Sequence, residues 1–553
     1  MISRRLADWT LLFVLLFTVA YFFLSHEGLY AIDDYFYSRY AHQLINGTFR
    51  VAPDPQGLLH DPLKERPMIY GPVALCYLLF GINIISSTLW PLLATLGCAV
   101  LIWKLYRRQE PVVAATAMLL LGLHYFTLNL TNYLYPDNIL MFWCLAGSAA
   151  LLVGRRAGAR TLAWGIGFAG VSFAALLSKE TIVYYLPFYL AVLGRDAWRR
   201  QHGRFWGAAV FTGLALLTAY LAFYQVYTHD ALYRLHLIEN TNEFLKEGNY
   251  LLGNRAALIS RITWQPLAFF IGAGLGPMLL LAAAALLQPA APNSDKRFWL
   301  GLGFSTLLFF WVGSTSLGQY NPITLLPRMT TPLLPPLALA AGFGLQYMLR
   351  NGRGVVIIAL GLLLCAGWLH NSLSVLYSGL GLFLAVVAVA QSRPLCPTFL
   401  RPGQAPLALL TLLVLVGCLV LRPAYFMWKP SVSSHFAQNR VIKQHLQAPA
   451  QGVVLVDDFL IDNYDFYYSF AMPTGLQYRR YWSRDSLQLR PGQHAWLLLN
   501  HSTLTNDELT RKLIRYSPDS VLSWYPRRQL IAEDGKVSLF EVTLGDERKG
   551  KNN

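Results

Sequence analysis

Long runs of apolar residues recur along most of the chain, and short polar segments separate them. A helix that crosses a membrane needs about 20 mainly apolar residues, and runs of about this length follow one another up to residue 422. The pattern therefore predicts an α-helical polytopic membrane protein with about thirteen transmembrane helices. The predicted spans are 8–25, 84–103, 112–128, 136–153, 161–177, 181–194, 205–224, 266–288, 298–314, 328–348, 354–370, 375–391 and 406–422.

The C-terminal part of the chain has a different pattern. Short apolar runs occur at 452–456 and 495–499, a helical pattern begins at Asp507, and a late strand-like segment follows at 537–542. Short strand-like runs that alternate with helical segments are typical of a small α/β unit. The chain is therefore predicted to divide into a transmembrane domain, 1–428, and a soluble α/β domain, 429–553.

Basic residues between the apolar runs indicate the orientation. They fall in every second short loop, whereas the intervening loops 129–135, 315–327 and 371–374 contain no Lys or Arg. Lys179, between the fifth and sixth predicted spans, is the one exception among the short loops. Because Lys and Arg mark cytoplasmic loops, the N-terminus is predicted to be cytoplasmic. An odd number of spans then places 429–553 outside the cytoplasm. The basic clusters are Arg4/Arg5, Lys104/Arg107/Arg108, Arg155/Arg156/Arg160, Arg195/Arg199/Arg200/Arg204, Lys296/Arg297, Arg350/Arg353 and Arg393/Arg401.

Two loops on the predicted outer side are long, 26–70 and 225–265, and both are rich in Tyr, Phe and His. Loops of this length in a compact protein are usually functional or disordered, and the aromatic content argues against disorder. Residues 35–45 carry apolar side chains at helical spacing. We expect them to form an amphipathic helix at the membrane surface.

Composition supports a membrane protein and excludes two other classes. Charged residues make up 13% of the chain, against about 25% in soluble globular proteins. A soluble multidomain protein is therefore excluded. The net charge of +16 comes from basic clusters between apolar runs, which is the pattern of membrane topology signals. Nucleic acid is therefore not an expected partner.

Charged residues at the outer ends of the predicted spans carry the candidate chemistry. Burial of a charge beside a membrane is costly, so such residues mark functional sites. We expect them to converge on one cavity. They are Asp33, Asp34, Glu65, Arg66, Asp137, Lys179, Glu180 and Arg328, together with His229, Arg234, His236 and Glu239 in the second long loop.

These residue types suit transfer from a lipid-phosphate donor. A carboxylate such as Asp33 or Asp34 can act as general base on an acceptor hydroxyl. Arg66, Lys179 and Arg328 can hold a phosphate leaving group and stabilise its developing charge.

Each of these residues also has a structural interpretation. Arg66 and Arg328 could be lipid headgroup anchors, and Asp34 could cap the helix that follows it. Asp137 follows a proline, and the start of a helix favours a carboxylate whatever its function. These alternatives stay open at this point.

The motifs, in their order, resemble the C-type glycosyltransferase superfamily. The likeness is to its bacterial branch that contains the aminoarabinose transferase of lipid A, related to protein O-mannosyltransferases, and it covers roughly residues 8–345. The matching segments are Asp33-Asp34, Glu65-Arg66-Pro67, Tyr135-Pro136-Asp137, Ser178-Lys179-Glu180 and 327–336.

The resemblance implies an inverting enzyme of the bacterial inner membrane. It would transfer a sugar from a polyprenyl (undecaprenyl) phosphate donor to a lipid, glycan or protein on the periplasmic face. An Asp of the Asp33-Asp34 pair would lie at the catalytic centre with Asp137 as a second acidic group, and Arg66 would meet the donor phosphate. Further cavity candidates are Glu65, Arg39, Glu180, His236 and Tyr320.

Cofactor use and two other functions stay open. Glu65 matches a position that binds a metal together with a loop histidine in the aminoarabinose enzyme, but the histidine is not identifiable here, so a divalent metal is possible and no cofactor is required. A transporter or flippase of lipid-linked sugars is the main alternative. It would place ionisable residues near the bilayer midplane. A subunit that only binds a lipid-linked glycan is a further alternative.

Overall fold

The structure is a computed structural model of the 553-residue chain. It describes residues 4–29, 32–51, 62–156, 158, 160–244, 255–287, 294–318, 320–392, 397–430, 434–448, 450–458, 461–487, 489, 491–505, 514 and 516–543. The chain splits into two compact units. Unit 1 consists of Met1–Ser25, Arg50–Ile69 and Thr88–Lys429, and unit 2 of His26–Phe49, Tyr70–Ser87 and Pro430–Asn553. The division into domains 1–428 and 429–553 stays a prediction.

Helices account for most of the described chain. The α-helices are α1 (Arg4–Leu24), α2 (Ile32–Ile45), α3 (Pro67–Phe80), α4 (Ile84–Tyr106), α5 (Pro111–Gly122), α6 (Tyr125–Asn129), α7 (Pro136–Gly154), α8 (Thr161–Ser178), α9 (Leu186–Trp198), α10 (Gly203–Thr228), α11 (Tyr233–Phe244), α12 (Arg255–Ile262), α13 (Gln265–Gly272), α14 (Gly276–Ala284), α15 (Asp295–Val312), α16 (Leu334–Asn351), α17 (Val355–Trp368), α18 (Ser374–Ser392), α19 (Ala405–Trp428), α20 (Ser434–His445), α21 (His501–Leu504) and α22 (Pro518–Trp524). Short 3₁₀ helices occur at Leu130–Asn132, Glu180–Tyr185, Ala285–Leu287, Pro327–Leu333, Thr398–Leu400, Ile461–Tyr468 and Tyr481–Ser486.

The prediction of a polytopic α-helical membrane protein is confirmed. Within the described residues, eight helices are long and apolar enough to cross a membrane, or up to ten if each of two bent pairs is one span. The bent pairs are α5 with Tyr125–Asn132, at 60°, and α13 with Gly276–Leu287, at 106°. The eight are Arg5–Leu24, Ile84–Tyr106, Pro136–Gly154, Thr161–Ser178, Gly203–Thr228, Pro327–Asn351, Ser374–Ser392 and Ala405–Trp428.

Three further predicted spans are helical but fall short of these criteria. The span 181–194 is a 3₁₀ segment followed by the 13-residue α9, and 354–370 is the 14-residue α17. The span 298–314 lies in α15, which has 18 residues and begins with Asp295-Lys296-Arg297. The total of thirteen spans therefore stays a prediction.

Unit 1 is built around helices that are apolar on all sides. Every residue of α5 after Pro111 is buried, as is the whole apolar stretch of Pro327–Asn351. A helix without a polar face suits a protein core or a membrane, and these two helices are enclosed by the rest of unit 1. Gly344 of α16 allows close contact with α14, because a Cβ there would lie 1.7 Å from the carbonyl oxygen of Leu281. Small residues permit such backbone approach between apolar helices.

Unit 2 contains a five-stranded mixed sheet. Its strands are β1 (Gly452–Val456), β2 (Leu476–Arg480), β3 (His494–Asn500), β4 (Arg528–Asp534) and β5 (Val537–Val542), in the order β2-β1-β3-β5-β4. Strand β1 pairs in parallel with β2 and β3, whereas β5 pairs antiparallel with β3 and β4. Side chains of β1 and β3 enter apolar clusters on both faces of the sheet.

The sequence-based elements of this unit are confirmed in part. The three predicted strands are β1, β3 and β5, whereas β2 and β4 were not predicted. The helical pattern at 507–511 lies outside the described residues. The expected helix at 35–45 is confirmed as α2, while its position at a membrane surface stays a prediction.

A buried histidine joins α2 to the rest of unit 2. His435 of α20 is 3% exposed, and its Nδ1 lies 2.9 Å from the hydroxyl oxygen of Tyr35. That hydroxyl also lies 2.9 Å from the hydroxyl of Tyr467. Burial, aided by the charges of His26 and Lys443, lowers the pKa of His435 to about 3. The folded unit therefore keeps this imidazole neutral at any pH well above 3.

Acid should weaken unit 2 through His435. An unfolded histidine takes up a proton near pH 6.5, whereas the folded one does so only near pH 3. The His435 contribution to stability is therefore complete above pH 6.5 and is lost as pH falls toward 3. The expected loss is about 3 kcal/mol by pH 4, from about 1.4 kcal/mol per pKa unit. Hydrogen exchange of β1 and β3 amides in the full chain, from pH 7 to 4, measures it.

The substitution His435→Gln should remove most of this pH dependence. His445→Gln is the matched control, because His445 lies exposed on the same helix. Equal pH dependence in the wild type and His435→Gln would contradict the assignment.

Candidate active site

Asp137 is positioned by the start of α7. The residue before a proline is restricted to extended backbone, and Tyr135 accordingly has φ −99° and ψ 151°. Pro136 then begins the helix, where its missing N–H is not needed. Asp137 stands in the first turn, where the helix dipole favours a carboxylate. Its side chain is 1% exposed.

Lys179 follows the last residue of α8 and pairs with Asp137. Its backbone is extended, with φ −162° and ψ 144°, so the helix ends there. The ammonium Nζ donates to Asp137 Oδ1 at 2.7 Å and to the sulfur of Met329 at 3.4 Å. Asp137 Oδ2 is buried and has no hydrogen-bond partner among the described residues. The pair therefore leaves one carboxylate oxygen available.

Glu180 is the centre of a second group of charges. Arg66 donates through Nη2 to Glu180 Oε2 at 3.1 Å, and Arg234 Nη2 donates to the same oxygen at 3.3 Å. Burial alone would raise the pKa of Glu180. The positive charges of Arg66, Arg234 and Lys179 outweigh burial and hold the pKa at about 2. Glu180 is therefore ionised throughout the physiological range.

Glu65 and Arg328 complete the group. Glu65 is 4% exposed, and its Oε1 lies 3.4 Å from Nε of Arg66. Arg328 is the second residue of the 3₁₀ helix Pro327–Leu333, and its guanidinium lies 5.1 Å from the ring centre of Tyr135. We call the set the charge cluster, and it consists of Glu65, Arg66, Asp137, Lys179, Glu180, Arg234 and Arg328.

The charge cluster has an excess of one positive charge, because four basic groups face three carboxylates. Lys179 connects its two halves, since it pairs with Asp137 and adjoins Glu180 in sequence. All of its members lie in unit 1 and at the ends of helices or in the segments between them. Such a group can bind an anion with phosphate-like charge, because Arg and Lys can exchange a carboxylate for a phosphate oxygen.

All seven members of this cluster are among the charged residues that the sequence marks as candidates, Arg234 included. The sequence placed Arg234 and His236 in the same loop without a signal to separate them. Both lie on α11, two positions apart, and therefore point to opposite sides of the helix. Arg234 is 6% exposed and its Nη1 donates to the carbonyl of Leu176 at 2.5 Å. Burial would lower the pKa of Arg234, but the charge of Glu180 raises it overall.

Two predicted cavity residues lie elsewhere. The exposed imidazole of His236 pairs with Asp230, with 2.7 Å between Nδ1 and Oδ2. Tyr320 is 39% exposed. Neither side chain contacts a member of the charge cluster in the contacts that the described residues make.

Three further predicted residues, Asp33, Asp34 and Arg39, belong to unit 2. Asp33 and Asp34 stand in the first turn of α2, where Asp34 is fully buried and Asp33 is half-buried. Arg39 of the same helix donates to Asn463 Oδ1 at 2.8 Å and to the carbonyl of Asp462. Arg39 therefore ties α2 to the 3₁₀ helix Ile461–Tyr468, which is a structural role.

Glu65 belongs to no metal-binding group among the described residues. Within the part of the chain that the structure describes, no group of three or more His, Cys, Asp or Glu side chains could hold a metal ion. The basic neighbour Arg66 occupies one oxygen of Glu65.

Comparison with solved structures shows the fold of ArnT from Cupriavidus metallidurans. The structure of ArnT bound to undecaprenyl phosphate aligns with a TM-score of 0.54 at 15% identity and covers 99% of each chain. The apo structure aligns with a TM-score of 0.55 at 16% identity, over 97% of this chain and 98% of that chain. The predicted resemblance to C-type glycosyltransferases is thus confirmed for the fold.

Other comparisons add little. The apo oligosaccharyltransferase of Archaeoglobus fulgidus aligns with a TM-score of 0.49 at 12% identity, over 98% of this chain and 74% of that chain. No family model matches the chain, and no curated protein matches its sequence.

Breaking the Asp137–Lys179 pair should strongly destabilise unit 1. Asp137→Asn leaves the ammonium of Lys179 buried without its counter-ion, and Lys179→Met leaves the Asp137 carboxylate alone. Loss of one partner of a buried ion pair costs about 3–5 kcal/mol. The double variant should recover more than half of this loss. Reversible unfolding in mixed micelles, analysed as a double-mutant cycle, gives the coupling energy.

The control is Arg350→Gln, which removes the 62%-exposed partner of Glu110. It should cost less than about 1 kcal/mol, as exposed pairs do. Additive effects of Asp137→Asn and Lys179→Met would contradict a direct pair.

Proposed function

We propose that the chain is a membrane glycosyltransferase that takes a sugar from a polyprenyl-phosphate donor. The observation that carries the proposal is the charge cluster, a buried group with excess positive charge in a chain that shares the fold of ArnT. ArnT was solved with undecaprenyl phosphate bound. A phosphate on a lipid is the ligand that such a cluster, set among apolar helices, suits best.

Arg66, Lys179 and Arg328 hold the donor phosphate in this proposal, and Arg234 supports them. Arg66 is held by the carboxylate of Glu180 at 3.1 Å, and Lys179 by that of Asp137 at 2.7 Å. The carboxylates keep these side chains in place while no phosphate is bound, and a phosphate then joins or replaces them. Preformed donors of this kind stabilise the charge that develops on a leaving group.

The reaction is a single displacement. The acceptor hydroxyl attacks the anomeric carbon of the sugar, and the bond from that carbon to the phosphate oxygen breaks. Polyprenyl phosphate leaves with the electron pair, and the acceptor proton passes to Asp33 or Asp34 as general base. One displacement inverts the anomeric configuration.

Asp137 has a positioning role toward Lys179 in this proposal. Its Oδ1 accepts from Lys179, while its buried Oδ2 has no partner among the described residues. An unsatisfied buried oxygen is costly, and a hydroxyl of the bound sugar would satisfy it. Asp137 would thereby contact the sugar and hold Lys179 at the same time.

The position of the charges favours a transferase over a transporter. Asp137 lies in the first turn of α7, and Lys179 directly follows the end of α8. Arg328 lies at the start of the 3₁₀ helix Pro327–Leu333. Charges at helix ends lie near a membrane interface, where lipid phosphates are found. A transporter would place them within the spans.

We further propose that the enzyme lies in the bacterial inner membrane and acts on its periplasmic face. The distribution of Lys and Arg supports a cytoplasmic N-terminus. The acceptor is then a lipid such as a component of lipopolysaccharide, another glycan or a protein.

Asp33→Asn and Asp34→Asn test the general base. Loss of the base should lower kcat by about 10²–10⁴. Loss of a carboxylate charge from the first turn of α2 should cost at most about 1 kcal/mol of stability, so a residue with only that role would keep its activity after the change. The assay follows release of polyprenyl phosphate from a polyprenyl-phosphate sugar with candidate acceptors, using purified full-length protein. Full activity in both variants would falsify the catalytic role.

Arg66→Gln tests the donor site independently of the base. The variant should raise the KM for the donor, or lower kcat, by about 10²–10³ because one charged donor to the phosphate is lost. Arg350→Gln, at an exposed ion pair, should leave both constants unchanged. Equal kinetics in the Arg66 variant and the control would exclude Arg66 from the phosphate site.

The orientation can be tested with reporter fusions. Alkaline phosphatase fused after residue 553 should be active, because the C-terminal end is expected in the periplasm. The same reporter fused after Arg108, in a predicted cytoplasmic loop, should be inactive. The reverse pattern would overturn the orientation.

A further inference from the structure

A second polar site lies in unit 1 where two bent helix pairs break. The break between α5 and α6 and the break between α13 and α14 border one small pocket. Its walls include the apolar side chains Leu123, Phe126, Leu373, Leu376 and Leu419. We call it the helix-break pocket. It contains no member of the charge cluster.

His124 lies in the first of these breaks and lines the pocket. It is 4% exposed, and neither ring nitrogen has a hydrogen bond of normal geometry with any described residue. The backbone of Ala273 lies close enough to make a weak hydrogen bond with the ring. Gly274 leaves room at the second break, where a Cβ would lie 3.7 Å from Nε2 of His124. Ala273 can serve only one of the two ring nitrogens, and buried polar groups normally have a partner, so the other nitrogen indicates a ligand or water in the pocket.

Arg422 of α19 supplies a positive charge to the same pocket. Its guanidinium stacks over Tyr125, at 4.0 Å from the ring centre, and lies 5.9 Å from that of Phe126. No described residue that lines the pocket is Asp or Glu, and Arg422 forms no ion pair within the described chain. Stacking fixes the guanidinium plane and leaves its N–H donors available.

We propose that the helix-break pocket binds the phosphate group of an anionic lipid. Arg422 pairs with the phosphate in the forked geometry that guanidinium and phosphate share. His124 makes a hydrogen bond to the phosphate or to the adjoining ester oxygen, and the leucine and phenylalanine walls cover the first part of the lipid chain. The lipid is distinct from the donor held at the charge cluster.

The apolar walls decide between a lipid and free phosphate. The charged oxygens of inorganic phosphate would lie against Leu123, Leu373 and Leu376, which offer no hydrogen-bond donor. Burial of a charge without such partners is unfavourable. A lipid phosphate places only its head at Arg422 and its chain against these walls. The pocket therefore matches an amphiphilic ligand with a single anionic head.

Photo-crosslinking locates the ligand without relying on activity, so the result is independent of the proposed transferase function. Purified full-length protein in detergent is irradiated with a phosphatidic acid that carries a diazirine on its acyl chain. A diacylglycerol with the same diazirine is the neutral control probe. Mass spectrometry maps the labelled peptides. The phosphate probe should label residues 372–376 and 418–422 about ten-fold more than the neutral probe.

Variants test whether Arg422 binds the lipid phosphate. Arg422→Gln should reduce this labelling to the level of the neutral probe, and Arg422→Lys should retain part of it because the charge remains. Arg107→Gln is the matched control, since Arg107 also stacks on an aromatic ring, 3.8 Å from that of Trp103, outside the pocket. It should label as the wild type does.

Several results would overturn the proposal. Equal labelling of the pocket by the two probes would exclude recognition of phosphate. Wild-type labelling in Arg422→Gln would exclude Arg422. Inorganic phosphate that competes with the probe as strongly as unlabelled phosphatidic acid does would exclude a lipid ligand. If Arg422→Gln does not fold, the probe comparison and the competition in the wild type decide the question.

Discussion

The structure of the candidate site depends on one constraint, which is that a charge surrounded by apolar helices must be paired. The pair between Asp137 and Lys179, at 2.7 Å, meets this constraint at the start of α7 and the end of α8. Lys179 also reaches Met329, so three chain segments meet at one ammonium group. Glu180 follows directly and gathers Arg66 and Arg234. A surplus of positive charge over carboxylates then remains, and this surplus makes an anionic substrate the natural occupant.

Much of the fold could be predicted from the sequence because the constraints on a membrane helix are local. A long apolar run has few alternatives, and all thirteen predicted spans are helical. The 106° bend between α13 and α14 could not be predicted, because the run 266–288 is apolar throughout and tertiary packing decides where it breaks. The strands β2 and β4 were missed for a related reason. Both lie at sheet edges and are mainly exposed, so they lack the alternation that identifies a strand.

The candidate site was predictable residue by residue but not as a set of pairs. Asp137 and Lys179 stand out because each is a charge beside an apolar run, yet their pairing joins positions 42 residues apart. The sequence suggested separate roles for them, whereas the structure makes each the partner of the other. Arg234 could not be distinguished from His236, because its burial depends on the face of α11 that packs against the carbonyl of Leu176. Which charges form pairs, and which side of a helix is buried, both depend on tertiary packing, and a single sequence does not reveal them.

The two cationic sites of unit 1 differ in what holds the cation, and this difference bears on what each can do. Carboxylates hold Arg66 and Lys179, so an incoming phosphate must share or replace an existing charge partner, which suits a substrate that binds and leaves. Aromatic faces hold Arg422, so its charge is not neutralised in the described chain. The segment α6 connects the sites, because the carbonyl of Thr127 accepts from Asn138, the neighbour of Asp137. A ligand that contacts Tyr125 could therefore shift the first turn of α7. That turn carries Asp137, the most buried carboxylate of the charge cluster.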